Sequence, residues 1–298
     1  MLFERQKLLL VLLNTLGGNA SHLDYQKLLF LFCVEWEREP SYEFVPYKYG
    51  CFSFTSYTDI RKLIVEGYLA DSGINWNITE KGIAAAKRSA EVGRRLGIFL
   101  RKWDGFKGDT LVAEIYRKYP YYAINSEMAN RIFSNDEASL AEVARARPRR
   151  GSSGIYTIGY EGMSFEGYLN RLIKAGITVL CDVRKNPISR KYGFSKSSLS
   201  KGCESVGITY KHIPELGIAS DDRQDLNTQS DYDALFSMYE SVIIPAQEAS
   251  INLIKTIIDD GNRIALTCFE RLPQQCHRHC VANALERNFG PDYSPVHL

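Results

Sequence analysis

A short basic segment near the middle of the chain constrains the fold most. Residues Arg145–Gly154 read RARPRRGSSG, with four arginines, two glycines, two serines and one proline, and Ala146 as the apolar exception. A segment that buries no apolar surface and carries proline and glycine is typical of a flexible linker. We therefore predict two domains, which agrees with a length of 298 residues at about 100–200 residues per domain.

The linker arginines have two interpretations. They keep an exposed linker solvated, or they contact phosphates, since cations that neutralise phosphates release condensed counterions and gain affinity. The candidates for phosphate contacts are Arg147, Arg149 and Arg150. Residues 1–150 carry 22 basic against 18 acidic side chains and residues 151–298 carry 15 against 17, so neither half has the extreme charge of a dedicated nucleic-acid coat.

Residues before the linker have a mainly helical pattern. Apolar residues recur at helical spacing until Gly17-Gly18, and Ser21 can cap a second helix that runs to about Trp36. A strand is predicted over Tyr42–Tyr49, a third helix over residues 53–66, and a two-stranded turn after it. This order predicts a winged helix-turn-helix domain over residues 1–90, followed by a helical extension over residues 91–144.

The helix at residues 53–66 would be the recognition helix of such a domain. Its candidate nucleic-acid contacts are Thr55, Ser56, Arg61 and Lys62. The motifs QKLL at residues 26–29 and PYKYG at residues 46–50 resemble signatures of the Panacea (SocA-like) antitoxin family and related winged-helix domains. The resemblance implies a domain that binds DNA or a partner protein, in a toxin–antitoxin or phage-defence setting.

After the linker, strand-like and helical segments alternate. Strands are predicted over residues 155–159, 179–184, 209–213 and 263–268, with helices between them. This alternation predicts an α/β domain over residues 155–298, built on a parallel sheet with helices on both faces. Ligands of such sheets bind outside the carboxyl ends of the strands.

Polar and reactive side chains follow each of these predicted strands, so we predict a functional site at this edge of the sheet. The predicted ligand-binding residues are Tyr160, Glu161, Arg184, Ser189, Arg190, His212, Cys268 and Arg278. The predicted catalytic residues are Asp182, Glu270, Cys276 and His277.

Many of these residues fall in motifs at characteristic spacing. The chain reads IGYEG at residues 158–162, CDVRKNPISR at residues 181–190, ELG at residues 215–217, CFE at residues 268–270 and CHR at residues 276–278. The combination resembles the family catalogued as domain of unknown function number 488, over about residues 155–287. The resemblance implies a fold and a site at these motifs, and implies no particular reaction.

Two functional hypotheses follow from this site. In the first, arginines bind a phosphorylated ligand, and Asp182 and Glu270 act as a nucleophile and acid pair. The protein would then process nucleotides or nucleic acid as a hydrolase or glycosidic-bond enzyme, with the winged helix recruiting the substrate. In the second, the protein is a non-enzymatic ligand sensor or antitoxin-like regulator whose winged helix binds DNA or a partner protein.

The C-terminal thiols leave a third chemistry open. Cys268, Cys276, His277 and Cys280 are ligand types that zinc prefers, but their spacing is C-x7-C-H-x2-C rather than paired C-x2-C motifs. If Cys276 and His277 lie on a helix, their side chains point about 100° apart, so no metal site is predicted and zinc is kept only as an alternative. A thiol catalyst is a related alternative, because a helix N-terminus would lower the pKa of Cys276. Cys280 and Cys181 are expected in the core.

The sequence also gives an expectation about location. Apolar runs such as Leu8–Leu13 are far shorter than the roughly 18 residues of a membrane span. Glu4 and Arg5 before the first run favour a helix over a signal peptide, and seven widely spread cysteines are not a disulfide framework. We therefore expect a cytoplasmic protein with no membrane partner.

Overall fold

The computed structural model describes residues 2–149, 151–219, 226 and 228–298. The chain divides into two compact units, residues 1–147 and residues 148–298. The division falls within the segment predicted to be a linker. The two ends of that segment belong to regular elements, because one helix ends at Arg145 and a strand begins at Gly154.

The N-terminal unit is mainly helical. Its helices are α1 (Glu4–Thr15), α2 (His22–Glu35), α3 (Phe54–Val65), α4 (Glu80–Ala86), α5 (Ala90–Lys102), α6 (Gly108–Lys118), α7 (Ala129–Ile132) and α8 (Glu137–Arg145). Its strands are β1 (Asn19–Ser21), β2 (Val45–Tyr47), β3 (Gly50–Phe52), β4 (Leu69–Asp71) and β5 (Asn75–Ile78). The strands form an antiparallel sheet in the order β1-β5-β4 and a separate β2-β3 hairpin.

The predicted strand over residues 42–49 is a hairpin instead. Gly50 adopts a φ of 88° where the hairpin turns, a conformation that favours glycine. The amino group of the buried Lys27 donates to the carbonyls of Tyr49 and Cys51, and the amide of Gln26 donates to the hydroxyl of Ser56 at 2.9 Å. The two polar residues of the QKLL motif therefore join α2 to the hairpin and to α3.

The C-terminal unit contains a five-stranded parallel sheet. Its strands are β6 (Gly154–Gly159), β7 (Val179–Asp182), β8 (Thr209–His212), β9 (Arg263–Cys268) and β10 (Val296–His297), in the order β10-β6-β9-β7-β8. Its helices are α9 (Phe165–Lys174), α10 (Lys196–Ser205), α11 (Gln229–Met238), α12 (Ile244–Ala246), α13 (Glu248–Asp259) and α14 (Arg278–Phe289). Four of the strands agree with the predicted positions, and β10 was not predicted.

Helices cover both faces of this sheet. Residues of α13 and α14 pack with Ile264 and Leu266 on one face of β9. Successive side chains of a strand point to opposite faces, and Thr267 accepts a hydrogen bond from Tyr168 of α9 at 2.8 Å. The helical stretch between β8 and β9 is not continuous, because a π-helical turn at Tyr239–Ile243 and the short helix α12 separate α11 from α13. None of the described helices is long and apolar enough to cross a membrane.

Candidate functional site

The carboxyl ends of β6, β7, β8 and β9 bring the predicted site residues of the C-terminal unit to one edge of the sheet. β9 lies between β6 and β7, so Cys268 at its end is flanked by the segments that follow Gly159 and Asp182. A cavity of about 330 Å³ opens there. It is lined by Tyr160, Arg184, Lys185, Asn186, Ile188, Ser189, Arg190, Ile218, Cys268, Phe269 and Glu270.

Sequence reasoning missed five of these lining residues. Lys185, Asn186 and Ile188 lie between the motif residues that were chosen, and Phe269 lies between Cys268 and Glu270. Ile218 follows the ELG motif. The preceding Gly217 lets this segment lie against the backbone of Lys185, because a Cβ on Gly217 would lie 2.1 Å from the backbone nitrogen of Lys185. Proximity to motif residues could have indicated the four residues at positions 185, 186, 188 and 269. No local sequence signal indicated Ile218, because its position depends on the contact that Gly217 makes.

Asp182 is paired with Arg184 rather than presented to the cavity. Its carboxylate accepts from Arg184 Nε at 2.8 Å, from Arg184 Nη2 at 2.5 Å, and from the Tyr210 hydroxyl at 2.6 Å. The side chain of Asp182 is fully buried and that of Arg184 is 7% exposed. Both carboxylate oxygens of Asp182 therefore accept hydrogen bonds from buried donors, and its role as a nucleophile stays a prediction. Asp182 acts as a positioning residue for Arg184.

Arg184 in turn organises an aromatic wall of the cavity. Its Nη1 donates to the hydroxyl of Tyr160 at 2.8 Å and to the carbonyl of Phe194 at 2.9 Å. The Tyr160 and Phe194 rings stack with centroids 4.2 Å apart, and Phe269 meets Tyr160 edge-on. The guanidinium thus holds Tyr160 in place while Phe269 remains 43% exposed, so the exposed aromatic surface is supplied by a residue that was not predicted.

Three other predicted ligand-binding residues support loops around the cavity. The ring of His212 lies 2.9 Å from the carbonyl of Arg184 through Nε2. The hydroxyl of Ser189 accepts from the backbone of Lys191 at 3.1 Å. Glu161 accepts from the backbone of Arg271 at 3.0 Å. His212 and Glu161 are not among the cavity-lining residues.

Arg278, predicted to bind the ligand, is buried and holds backbone carbonyls instead of lining the cavity. It is 1% exposed, and its guanidinium donates to the carbonyls of Glu270 at 2.5 Å and Arg271 at 3.0 Å. Its Nε is buried and has no hydrogen-bond partner within the described part of the chain. The same loop is pressed against β6, because a Cβ on Gly159 would lie 1.8 Å from the carbonyl oxygen of Glu270. Arg278 and Gly159 together fix the backbone of Glu270 at the cavity.

Cys276 and His277 precede α14 and do not lie within it. Cys276 has extended backbone angles (φ −142°, ψ 129°), and His277 is the N-cap of a helix that begins at Arg278. The helical angle that argued against shared coordination therefore does not apply. The ligand atoms of Cys268, Cys276 and His277 lie within 4.8 Å of one another, all three residues are buried, and Cys280 is not part of the group.

The environment of Cys276 also corrects its expected reactivity. Burial raises the pKa of the Cys276 thiol well above its ordinary value, and the neighbouring Cys268 raises it further. The prediction of a lowered pKa at a helix N-terminus is wrong because the residue is buried and lies outside the helix. Cys181 and Cys280 are core residues as predicted.

The predicted nucleic-acid contacts of the N-terminal unit separate into exposed and buried groups. Arg61 and Lys62 are exposed on α3, and Thr55 is half-buried. Ser56 is buried between Gln26 and the cap residue Ser53, so its assignment to a nucleic-acid surface is wrong. In the linker Arg147 and Arg149 are exposed, and Arg150 lies outside the described residues.

The N-terminal unit also has a cavity of its own, of about 580 Å³. It is lined mainly by aromatic and apolar side chains, with Gln26 and Lys27 among the lining residues. The full lining is Ser21, His22, Leu23, Gln26, Lys27, Tyr47, Tyr49, Cys51, Phe52, Tyr57, Gly73, Ile74 and Trp76. Sequence reasoning did not indicate this cavity, because its residues come from four separate segments.

Comparisons with known proteins bear on the C-terminal unit. No curated protein matches the chain. Residues 164–285 match the model of the family described as Domain of unknown function DUF488. The matched segment runs from the cap of α9 into α14 and contains every cavity-lining residue except Tyr160. The resemblance inferred from the CDVRKNPISR, CFE and CHR motifs is therefore confirmed for the C-terminal half of the chain.

Proposed function

We propose that the C-terminal unit binds a phosphorylated ligand, a nucleotide or a nucleic-acid strand, in the 330 Å³ cavity and processes it with Glu270. The observation that carries this proposal is the combination around one cavity of two exposed cations, an exposed aromatic ring and a carboxylate. Lys185, Arg190, Phe269 and Glu270 supply these groups.

The charge distribution favours an anionic ligand. Arg184 is neutralised by Asp182, so the excess positive charge comes from Lys185 and Arg190. Neither side chain makes an ion pair with another described residue, and both are exposed. Unpaired cations at the mouth of a cavity attract phosphate, and an arginine donates to it in a forked, bidentate geometry.

An aromatic ring beside these cations favours a ligand that also carries a base. Stacking on an aromatic side chain contributes about 1–3 kcal/mol per base and tolerates any base. Phe269 presents such a ring between Cys268 and Glu270, and its edge-on contact with Tyr160 limits its rotation. A nucleotide, whether free or within a strand, combines the two chemical features that this wall recognises.

Glu270 is the proposed catalytic residue. Its backbone is fixed by Arg278 and Gly159, and its carboxylate lies 3.3 Å from the thiol of Cys268, which donates to it. A carboxylate held beside a bound nucleotide can act as a general acid or base on the bond to be cleaved. Because Asp182 is committed to Arg184, we propose hydrolysis by water that Glu270 activates, without a second carboxylate nucleophile.

We propose that the N-terminal unit recruits the substrate as a winged helix. Helices α1, α2 and α3 followed by the β4 and β5 strands agree with that order of elements. Arg61 and Lys62 would face nucleic acid, together with Arg147 and Arg149 of the linker. A toxin–antitoxin or phage-defence setting is part of this proposal and rests on the resemblance of the QKLL and PYKYG motifs.

Fluorescence anisotropy of labelled single-stranded and duplex DNA and RNA tests the binding step. Affinity for a strand should fall as salt rises, and Arg190→Ala or Lys185→Ala should each lower the salt slope by about 1. Arg171→Ala is the matched control, because Arg171 is exposed on α9 and away from the cavity. Equal effects of all three variants, or no binding of strands or free nucleotides at low salt, would contradict the proposal.

Glu270→Gln tests the catalytic step. The variant should keep ligand affinity within a few-fold while strand cleavage, base loss or nucleotide hydrolysis, followed by mass spectrometry, falls by about 10²–10⁴. Glu248→Gln, an exposed position on α13, should have no effect.

The aromatic cavity of the N-terminal unit supports a second candidate function, a ligand- or partner-sensing regulator. Its lining includes the exposed side chains of Tyr49 and Ile74, which are available to an apolar partner group. In a regulator whose signal ligand binds in the C-terminal cavity that Glu270 lines, Glu270→Gln would weaken ligand binding itself, and no turnover would be found in the unsubstituted protein. The measurements on Glu270 therefore distinguish the two candidates.

A further inference from the structure

The buried thiols at the end of β9 face an imidazole across a short gap. Cys268 Sγ lies 3.7 Å from His277 Nδ1. The ligand atoms of Cys268, Cys276 and His277 all fall within 4.8 Å of one another. The three residues come from two places in the chain, the end of a strand and the turn before α14, so the fold rather than local sequence brings them together.

These separations suit a tetrahedral metal ion. Zinc lies about 2.3 Å from a cysteine sulfur and about 2.0–2.1 Å from a histidine nitrogen. At tetrahedral angles this places a ligating sulfur and nitrogen about 3.5 Å apart, close to the 3.7 Å between Cys268 and His277. Small side-chain adjustments would complete the coordination of the three atoms.

The hydrogen bonding of His277 orients the correct nitrogen. Its Nε2 lies 2.9 Å from the carbonyl oxygen of Val183. A carbonyl accepts only, so Nε2 carries the proton and Nδ1 presents a lone pair toward Cys268. A ring nitrogen fixed in this way by a backbone carbonyl is the usual outer-shell arrangement of a metal-ligating histidine.

The charges around the cluster also balance for a divalent cation. Two thiolates neutralise its charge of +2, which lowers the cost of burial. The remaining ionic neighbours are the guanidinium of Arg278 and the carboxylate of Glu270, which carry opposite charges.

We propose that Cys268, Cys276 and His277 bind a thiophilic divalent metal ion, best matched by zinc, through three protein ligands. Three protein ligands leave a fourth position for water or a ligand, as in catalytic zinc sites. Cys268 lines the 330 Å³ cavity, and His277 lines a second cavity of about 200 Å³ in the same unit. Glu270 lines both cavities, so the metal site adjoins the proposed active site without depending on its ligand.

Metal analysis of the purified full-length chain tests the site. After exposure to zinc and gel filtration, the unsubstituted protein should retain about one zinc per chain, and Cys276→Ser or His277→Gln should retain less than about one tenth of that. Cys280→Ser is the matched control, since Cys280 is a buried thiol in the neighbouring helix that is not part of the cluster, and it should retain the full amount.

Cobalt substitution keeps the test decisive where a variant fails to fold. Cobalt bound by the unsubstituted chain should show two features. One is thiolate-to-cobalt charge transfer in the near ultraviolet, and the other is the set of visible absorption bands typical of tetrahedral cobalt. At saturating cobalt, the charge-transfer intensity per bound cobalt should fall by about half in Cys276→Ser, which keeps one of two thiolate ligands. Absence of these bands in the reduced, unsubstituted chain would overturn the proposal, as would equal zinc loss in Cys280→Ser, or a Cys268–Cys276 disulfide recovered from protein kept under zinc and reductant.

Discussion

Replacing Asp182 with asparagine should destabilise the C-terminal unit strongly. The carboxylate accepts three hydrogen bonds from Arg184, including one from its backbone, and one from Tyr210. An asparagine amide keeps one accepting oxygen and turns a donating nitrogen toward groups that also donate. The guanidinium would remain buried without a counter-charge.

The magnitude follows from the burial of both partners. Removing one member of a buried ion pair costs about 3–5 kcal/mol, whereas an exposed pair contributes about 0–1 kcal/mol. Since Asp182 is fully buried and Arg184 is 7% exposed, we expect a loss of about 3–4 kcal/mol, at the lower end because Arg184 keeps its bonds to Tyr160 and Phe194. This is a large fraction of the 5–15 kcal/mol that stabilises a typical domain.

Urea denaturation of the full-length chain measures this loss. Intrinsic fluorescence and circular dichroism should show the transition of the C-terminal unit shifting to lower urea, while that of the N-terminal unit stays in place. Asp292→Asn, at an exposed position of the same unit, should change stability by less than about 0.5 kcal/mol. A loss below 1 kcal/mol for Asp182→Asn would refute the structural role of the pair and reopen Asp182 as a catalytic residue.

Other predictions concern glycines and thiols. Gly217→Ala should destabilise the C-terminal unit by about 1–3 kcal/mol in urea denaturation, because a Cβ would lie 2.1 Å from the Lys185 backbone nitrogen. Gly97→Ala, in α5 with nothing within 4 Å, should stabilise the N-terminal unit by about 0.5–1 kcal/mol, and a loss there would contradict the helix geometry. Burial raises the pKa of Cys181 and of Cys280 to about 12. The stability gained by keeping these thiols neutral is present below the unfolded pKa near 9 and is lost as pH rises toward 12. The melting temperature should therefore fall above about pH 9, and less steeply in a Cys181→Ala/Cys280→Ala variant; equal slopes would count against these shifts.

The sequence predicted those parts of the fold whose signals are local. The segments that became β6, β7, β8 and β9 are bounded by glycine or polar residues, and their alternation with helices indicated parallel pairing. β10 was missed because a strand of two residues, Val296–His297, has no periodicity of its own. The β2-β3 hairpin was predicted as one strand because its turn depends on Lys27, which lies in a different helix.

The candidate site also shows that only features with a local sequence signal could be predicted. Residue types at strand ends indicated where the site would lie, but not which side chains would reach the cavity. Asp182 and Arg184 satisfy each other and leave Lys185 and Arg190 as the available cations. The arguments about Cys276 assumed a position at or within the start of a helix that begins two residues later, at Arg278, and this changed both its expected pKa and its expected geometry. Such outcomes depend on pairing and burial, which spacing along the chain does not encode.

The position of β9 in the sheet has a consequence for how the protein is made. β6 pairs with β9, from Gly154 with Arg263 onward, and with β10, which follows later still. During synthesis β7 and β8 can pair early, but β6 has no neighbouring strand until β9 leaves the ribosome. Long-range parallel pairing of this kind is slow and leaves apolar edges exposed. The N-terminal unit has its complete core once residue 147 has emerged, so yield should be limited by the C-terminal unit and should improve at low expression temperature or with added chaperones.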